Sequence, residues 1–355
     1  MPYKKILLLS CLLVFFTSGC FTRASKKDTP ASLPATQETA PVTSPQPALP
    51  ATEKTPLTTP PPATVAQSKN TTAPASVASP IATARAQAPL TSPLPDSPVF
   101  KDEPLISLEG RRLSPFAYAN KANQTEVPSV PWHNEQLKYG LYYSVIKAGT
   151  AYIKNRGLVS LDGRPAYLIQ TTAFSASVID SVFKVRDVNY SWLDATTFYS
   201  LGYTQSLREG NYKRDEWITF DYDTNSYFGE VQKKGDPREI SGALTGPVLD
   251  MLTSLYYVRS QPLEVGKDVV LDIVNREEKY PLVVKVLGKE TVKTPAGKFK
   301  CIVVEPQFRG EGIFVAKGKN LKVWLTDDKY KMPVKMKTEV FIGSVAAELL
   351  EYKRN

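Results

Sequence analysis

Histidine sets the first limit on what this chain can do. His133, in VPWHNEQ, is the sole histidine among 355 residues. A multi-histidine metal site is therefore impossible, and a Ser-His-Asp relay would have to use that one ring. The sequence contains no HExxH, GxSxG, P-loop or paired CxxC. Carboxylates remain, since glycoside chemistry needs only two well-placed Asp or Glu. The candidates are Asp187, Asp194, Asp215, Glu216, Asp221 and the pair Asp327–Asp328. Asp327–Asp328 follow a strand end in WLTDDKYKMP, and Asp221 and Asp223 flank a turn. Asp215 follows Arg214 on a predicted strand, where neighbours face opposite sides. None has a catalytic setting, so the expectation is no enzyme, no metal and no cofactor.

Binding chemistry is better represented. In NYSWLD and LREGNYKRDEW, Tyr190, Trp192 and Trp217 lie close in sequence to Arg186, Arg208 and Arg214. Aromatic faces beside guanidinium groups suit sugars, anionic head groups or peptides. The candidate ligand-binding set is accordingly Tyr190, Trp192, Arg208, Arg214 and Trp217. The competing and favoured reading is cross-strand aromatic packing with the charges on a solvated face. Arg259, at the end of SLYYVRS, is explained by complementing a helix dipole.

The elements that must position these residues are mostly strands. In LKYGLYYSV, Leu137, Tyr139, Leu141, Tyr143 and Val145 form one apolar face. In VKMKTEVFIG, Val334, Met336, Thr338, Val340 and Ile342 oppose Lys335, Lys337 and Glu339. Similar alternation runs through RPAYLIQTTAF, DEWITFDYD, YPLVVKVLG and KFKCIVVEP. Turns separate the runs: LDGRP, DYDTNS, TPAGKF and FRGEG. Pro295 and Gly297 in TPAGKF predict a hairpin, with Gly297 at positive φ. Two stretches read as helical: a short one around Ser175 to Phe183, and GPVLDMLTSLYYVRS. In the second, Pro247 opens the first turn, and Val248, Leu252, Leu255 and Tyr256 share a face. The expected fold is all-β, mainly antiparallel: a large curled sheet or half-open barrel of a dozen or more strands with one or two short helices.

The N-terminus carries an address. Lys4 and Lys5 precede an apolar run from Ile6 to Phe16, the length of a signal-peptide core and too short to cross a bilayer. Thr17-Ser18-Gly19 then precede Cys20, an order that resembles the bacterial lipoprotein signal, with Thr17 in place of the usual leucine. The resemblance implies cleavage after residue 19 and acylation of Cys20, palmitate among the acyl groups; an ordinary secretory signal is the alternative. Phe21 in place of Asp favours sorting to the outer membrane, facing the periplasm. With Cys11 in the signal and Cys20 acylated, Cys301 is left without a disulfide partner and is expected in the core. Phe21 to Glu109 has no glycine, and no aromatic occurs between Phe21 and Phe100. Such a Pro/Ala/Thr/Ser-rich segment cannot offset the ordering of its backbone. The predicted organisation is a signal peptide at 1–19, a lipidated, disordered tether at 20–130 and a β-rich domain at 131–355. Within the tether's last thirty or so residues, LISLEGRRL and FAYANK offer isolated apolar anchors. The domain carries 32 Lys plus Arg and 27 Asp plus Glu, a net +5 with interspersed signs. That excludes a basic nucleic-acid stripe and allows a mild preference for anionic lipid, glycan or acidic polymer.

The ordered segments SLREGNYKRDEWITFD, LTSLYYVRSQPLEVGK, VKTPAGKFKCIVVEPQFRGEGIF and VWLTDDKYKMPVKMKTEVFIGSVAAEL resemble the domain-of-unknown-function family 3108, from about Glu135 to Tyr352. That resemblance implies a bacterial envelope protein, without an assigned activity. The architecture is more loosely similar to the LolA and LolB lipoprotein carriers, implying a concave apolar cavity for acyl chains. The leading expectation is a lipid-anchored, non-catalytic β-domain that binds an amphiphile or envelope polymer. The alternatives are an envelope assembly factor docking proteins along a sheet edge, and a carboxylate-dependent glycan or lipid hydrolase.

Overall fold

The computed structural model describes residues 100–113, 127–161, 163–275, 278–308, 321–340 and 343–354. The signal, Cys20, the tether up to residue 99 and most of the FRGEG turn lie outside the described residues. Alternating sequence becomes strand almost throughout. The first arm is β1 (Gln136–Tyr143), β2 (Ile146–Leu161), β3 (Arg164–Ser175), β4 (Arg186–Asp194), β5 (Ser200–Glu209), β6 (Tyr212–Asp221), β7 (Ser226–Gln232) and β8 (Arg238–Ala243). The second is β9 (Asp268–Asn275), β10 (Glu278–Thr294), β11 (Gly297–Phe308), β12 (Leu321–Thr326), β13 (Pro333–Glu339) and β14 (Ser344–Lys353). All fourteen lie in one antiparallel sheet, with β1 paired to β14 at its middle and β8 and β9 as its edges. The expected fold class is the observed one, and the sheet does not close by strand pairing.

Period-two alternation sets which side chains turn inward. Leu137, Tyr139 and Leu141 are buried in β1, as are Val334 and Met336 in β13. The alternation stops at the β1–β2 turn, however: Val145 is 92% exposed. In TPAGKF, Gly297 takes φ +139 opposite Thr294, the hairpin expected of it.

Among the described residues the helices are α1 (Ser177–Asp180) and α2 (Met251–Ser260). Helix α2 begins later than Pro247 suggested. Asp250 is its N-cap, accepting from the backbone N–H of Leu252 and Thr253 while the Thr253 side chain accepts from the Asp250 backbone N–H, a capping box. Val248 and Leu249 remain extended and are used for pairing instead. Ser200 N donates to Val248 O at 3.0 Å, Leu249 N to Asp272 O at 3.0 Å, and Val274 N to Leu249 O at 2.8 Å. One connecting segment thus touches β5 on one arm and β9 on the other.

The outer face is covered by a strap, Phe100–Leu113, which packs on the sheet although the sequence reading put it in the disordered tether with LISLEGRRL as an isolated anchor; FAYANK lies outside the described residues. Phe100 packs with Tyr152 and Phe174, and Leu113 with Val188, Tyr190, Trp192 and Leu201. Arg111 fastens it: Nη1 donates to Ser206 Oγ at 2.9 Å and Nη2 to Arg186 O at 2.6 Å. Ion pairs Arg112–Glu230, Asp102–Lys138 and Glu103–Lys154 complete the attachment.

Candidate functional site

The inner side of the sheet is where an acyl-binding cavity would lie. Helix α2 occupies it. Trp132 meets Tyr256 of α2 edge-on at 4.8 Å and Tyr167 of β3 at 5.0 Å, contacts worth about 0.5–1.5 kcal/mol each beyond burial. Arg259 and Glu135, both without exposed side-chain surface, pair at 2.8 Å, and Arg259 also donates to Tyr330 O at 3.0 Å. The dipole explanation of Arg259 is therefore incomplete, because its first partner is a buried carboxylate. Together with Leu252, Leu255 and Val258 these residues join the core formed by the inner faces of both arms. The helix and its aromatic neighbours thus pack against the inner faces of both arms.

The five residues expected to bind ligand are divided between the two faces of the sheet. Tyr190 and Trp192 point outward from β4 and are 2% and 1% exposed beneath the strap. Trp217, on the same face of β6, meets Phe228 edge-on at 5.7 Å. Arg208 clasps Asp215 at 2.9 and 3.0 Å and donates to Gly110 O of the strap. Arg214 turns inward and pairs with Glu216, itself bonded by the Tyr203 hydroxyl. The structure brings Tyr190, Trp192, Arg208 and Trp217 to one face and separates Arg214 from them. Their aromatic surface is spent on packing and the two guanidinium groups on carboxylates, so the charges lie under cover rather than on a solvated face.

The candidate acids have structural employment. Asp194 Oδ1 accepts from the N–H of Thr196 and Thr197, both at 2.8 Å. Asp221 Oδ1 accepts from Asp223 and Thr224. Asp328 Oδ1 accepts from Tyr330 and Lys331, and Asp327 pairs with Lys289. These are turn and surface roles. Asp187 is different. It is fully buried on the inner face, accepting from Arg208 N at 2.7 Å through one oxygen, while its other oxygen has no hydrogen-bond partner. Burial and the nearby Glu209 carboxylate push its pKa well up. Burial likewise pushes Glu209 up to about 7, against the pull of Arg214.

His133 is held low by burial, with its ring edge-on to Tyr167. Cys301 is buried, and that burial pushes its thiol up to about 11; it is a core residue as expected, not a reactive one. No cluster of three or more metal-ligating side chains occurs among the described residues.

An open groove of about 490 Å³ lies over β10, β12 and β13, lined by Glu290, Val292, Lys293, Lys322, Trp324, Lys335, Lys337 and Glu339, with Thr291. The indole N–H of Trp324 donates to Glu290. Lys335 Nζ stands 5.9 Å from the Trp324 ring centroid and pairs with Glu348 at 2.6 Å, and Lys337 pairs with Glu339 at 2.9 Å. Lys322 is the cross-strand partner of Lys337, like charges directly opposite each other. Among the described residues no ion pair engages Lys293 or Lys322. The sequence reading had Lys335, Lys337 and Glu339 as the polar side of a strand, and it missed that Lys293 joins them. The signal was the lysine alternation; what gathers it is the pairing of β12 with β13 and the long reach of β10.

The chain matches the family model described as "Protein of unknown function (DUF3108)" over residues 138–350. Among curated proteins none matches it. It is similar in structure to a β-barrel-like protein of the domain of unknown function DUF1849 from Brucella abortus, with 10% identity and a TM-score of 0.44, covering 65% of this chain and 100% of that one. It is also similar to a protein with YmcC-like fold from Bacteroides fragilis, with 10% identity and a TM-score of 0.31, covering 64% and 99%.

Proposed function

This chain belongs to the DUF3108 family, and from that premise and the chemistry of its groove we propose that it is a lipid-anchored cell-envelope protein that binds, without catalysis, an anionic envelope polymer or the anionic head of an amphiphile. The observation that carries the reading is the groove. Four lysines line it with the Trp324 indole, and no ion pair engages Lys293 or Lys322 among the described residues. Lysine supplies point charges to phosphate or carboxylate, and the indole offers a face for a sugar ring or acyl stem. An open groove suits a polymer lying across strands better than a small enclosed ligand. The packing of α2 and Trp132 on the inner side supports this outer site over acyl-chain carriage within the sheet. Acylation of Cys20 and an outer-membrane, periplasm-facing position fit the N-terminal order and form part of the same proposal.

Native mass spectrometry of the detergent-extracted full chain tests it. A bound anionic species that is lost on Lys293→Glu with Lys322→Glu supports the groove. An adduct that survives both changes, or none in repeated preparations, sinks it.

A second reading has its own observation. Edge strand β8 leaves five of its six residues exposed, with only Ile240 buried, and among the described residues no strand pairs with its outer side. That is the geometry for docking a protein by strand addition. Crosslinking from Ser241→Cys in intact cells checks it, and recovery of no specific protein counts against it.

A further inference from the structure

Alternate turns of a sequential antiparallel sheet emerge at the same end. Those between β1 and β2, β3 and β4, β5 and β6, and β7 and β8 therefore share one end of this sheet. Direct contacts bear this out. Ala176 N donates to Ala148 O at 2.9 Å, Gly210 N donates to Lys184 O at 2.7 Å, and a Cβ at Gly210 would meet the Phe183 ring. Gln232, preceding the β7–β8 turn, pairs with Asp215 near the start of β6. On two of these turns stand Val145 (92% exposed), Ile146 (58%), Val178 (74%) and Val182 (71%), half of the exposed large aliphatic residues described. Single exposed aliphatics are ordinary, but four gathered on neighbouring turns are not. Around them Lys147, Lys184, Lys213, Lys233 and Lys234 are exposed. On these four turns the acids are fewer: Asp180 is taken by Arg186, and Glu209 is buried, leaving Asp236 and, just into β8, Glu239; beside them Asp102 is paired with Lys138, and Glu339, at the adjoining end of β13, with Lys337.

We infer that this end of the sheet is a membrane-docking surface: the aliphatic turns enter the interface of an anionic bilayer while the lysines meet its head groups. Burying a valine or isoleucine side chain is worth roughly 1.5–3 kcal/mol, and each lysine near an anionic surface about 1 kcal/mol. A protein partner would satisfy the valines equally, but a ring of exposed lysines on separate turns matches a laterally continuous negative surface. The inference goes beyond the groove and does not depend on it. Docking there would hold the domain against the membrane rather than leave it at the far reach of a tether.

The test uses the full acylated chain bound to phosphatidylethanolamine vesicles with and without phosphatidylglycerol. Nitroxide labels are placed at Val145→Cys, Val182→Cys and, at the opposite end, Lys329→Cys; the parent chain, whose Cys301 is buried, is labelled in parallel. Oxygen-accessible, water-shielded labels at Val145→Cys and Val182→Cys but not at Lys329→Cys, only with phosphatidylglycerol present, are expected. Lys184→Gln and Lys234→Gln should each reduce the shielded fraction's affinity about fivefold. Equal water exposure at both ends overturns the inference, as does insertion indifferent to the anionic lipid. Immobilisation of the Val145→Cys label in whole envelopes without shielding on vesicles also overturns it and assigns the surface to a protein.

Discussion

Ser200 Oγ donates to Asp250 at 2.6 Å, joining residues fifty positions apart. Asp250 also accepts from Ser191 at 2.9 Å, caps α2, and follows Leu249, which is bonded to β9. One buried carboxylate therefore ties β4, β5, the helix and, through its neighbour, the opposite edge strand. This stands in for the strand pairing that would close a barrel. Burial raises the Asp250 pKa, and the hydroxyl and N–H donors from Ser200, Thr253 and Ser191 oppose that rise.

Removing this junction should be costly. Asp250→Ala leaves two buried serine hydroxyls and the helix N–H groups unsatisfied, and it should lower stability by about 3 kcal/mol or more. Ser200→Ala, which removes one donor, should cost about 1 kcal/mol. Guanidinium denaturation of both variants gives the ranking. Equal, small losses would show that the segment is held by apolar packing instead.

The Glu135–Arg259 pair is fully buried beneath α2. Changing Arg259 to Ala strands a buried carboxylate and should cost about 3–5 kcal/mol, whereas Glu135→Leu with Arg259→Met should recover most of it. Thermal unfolding of the single and double variants decides this. A double variant no better than the single would mean that the Arg259 bond to Tyr330 O carries the effect.

The strap should be separable from the sheet. Arg111→Ala removes its donors to Ser206 and to the Arg186 carbonyl, a loss of about 2 kcal/mol. Limited proteolysis should then cleave near Leu105, already 97% exposed, and Trp192 emission should shift to the red. An unchanged cleavage rate would indicate that Phe100 and Leu113 hold the strap alone.

Stability should have a pH component opposite to the usual acid effect. Glu209 titrates at about 7 in the folded state and 4.5 when unfolded. The folded state thus holds the proton over that interval and the unfolded state does not, so this contribution is full below pH 4.5 and falls as pH rises to 7. Asp187, raised for the same reason, extends the fall in the same direction. Glu209→Gln should therefore gain stability relative to the parent chain as pH rises through the interval from 4.5 to about 7. Denaturation midpoints that stay parallel across that range would show that the carboxyl is solvated.

The sequence alone determined the strands, because a period-two pattern is a local property and backbone pairing needs only neighbours. It also determined the main hairpin at Pro295–Gly297, the core setting of Cys301 and the duller roles of Asp221 and Asp327–Asp328, all of which follow from local turn chemistry or burial pattern. The start of α2 was misplaced because Pro247 and Asp250 are both good helix openers, and a long-range need decided between them: Val248 and Leu249 must stay extended to reach β5 and β9. The candidate site was less legible. Tyr190 and Trp192 look like a binding face until a strap from outside the predicted domain is laid over them. The groove lysines sit on strands that come together only through the folded register of β12 and β13 and the reach of β10. Alternation specifies which side of its own strand a residue takes, and tertiary structure alone decides what stands opposite that side.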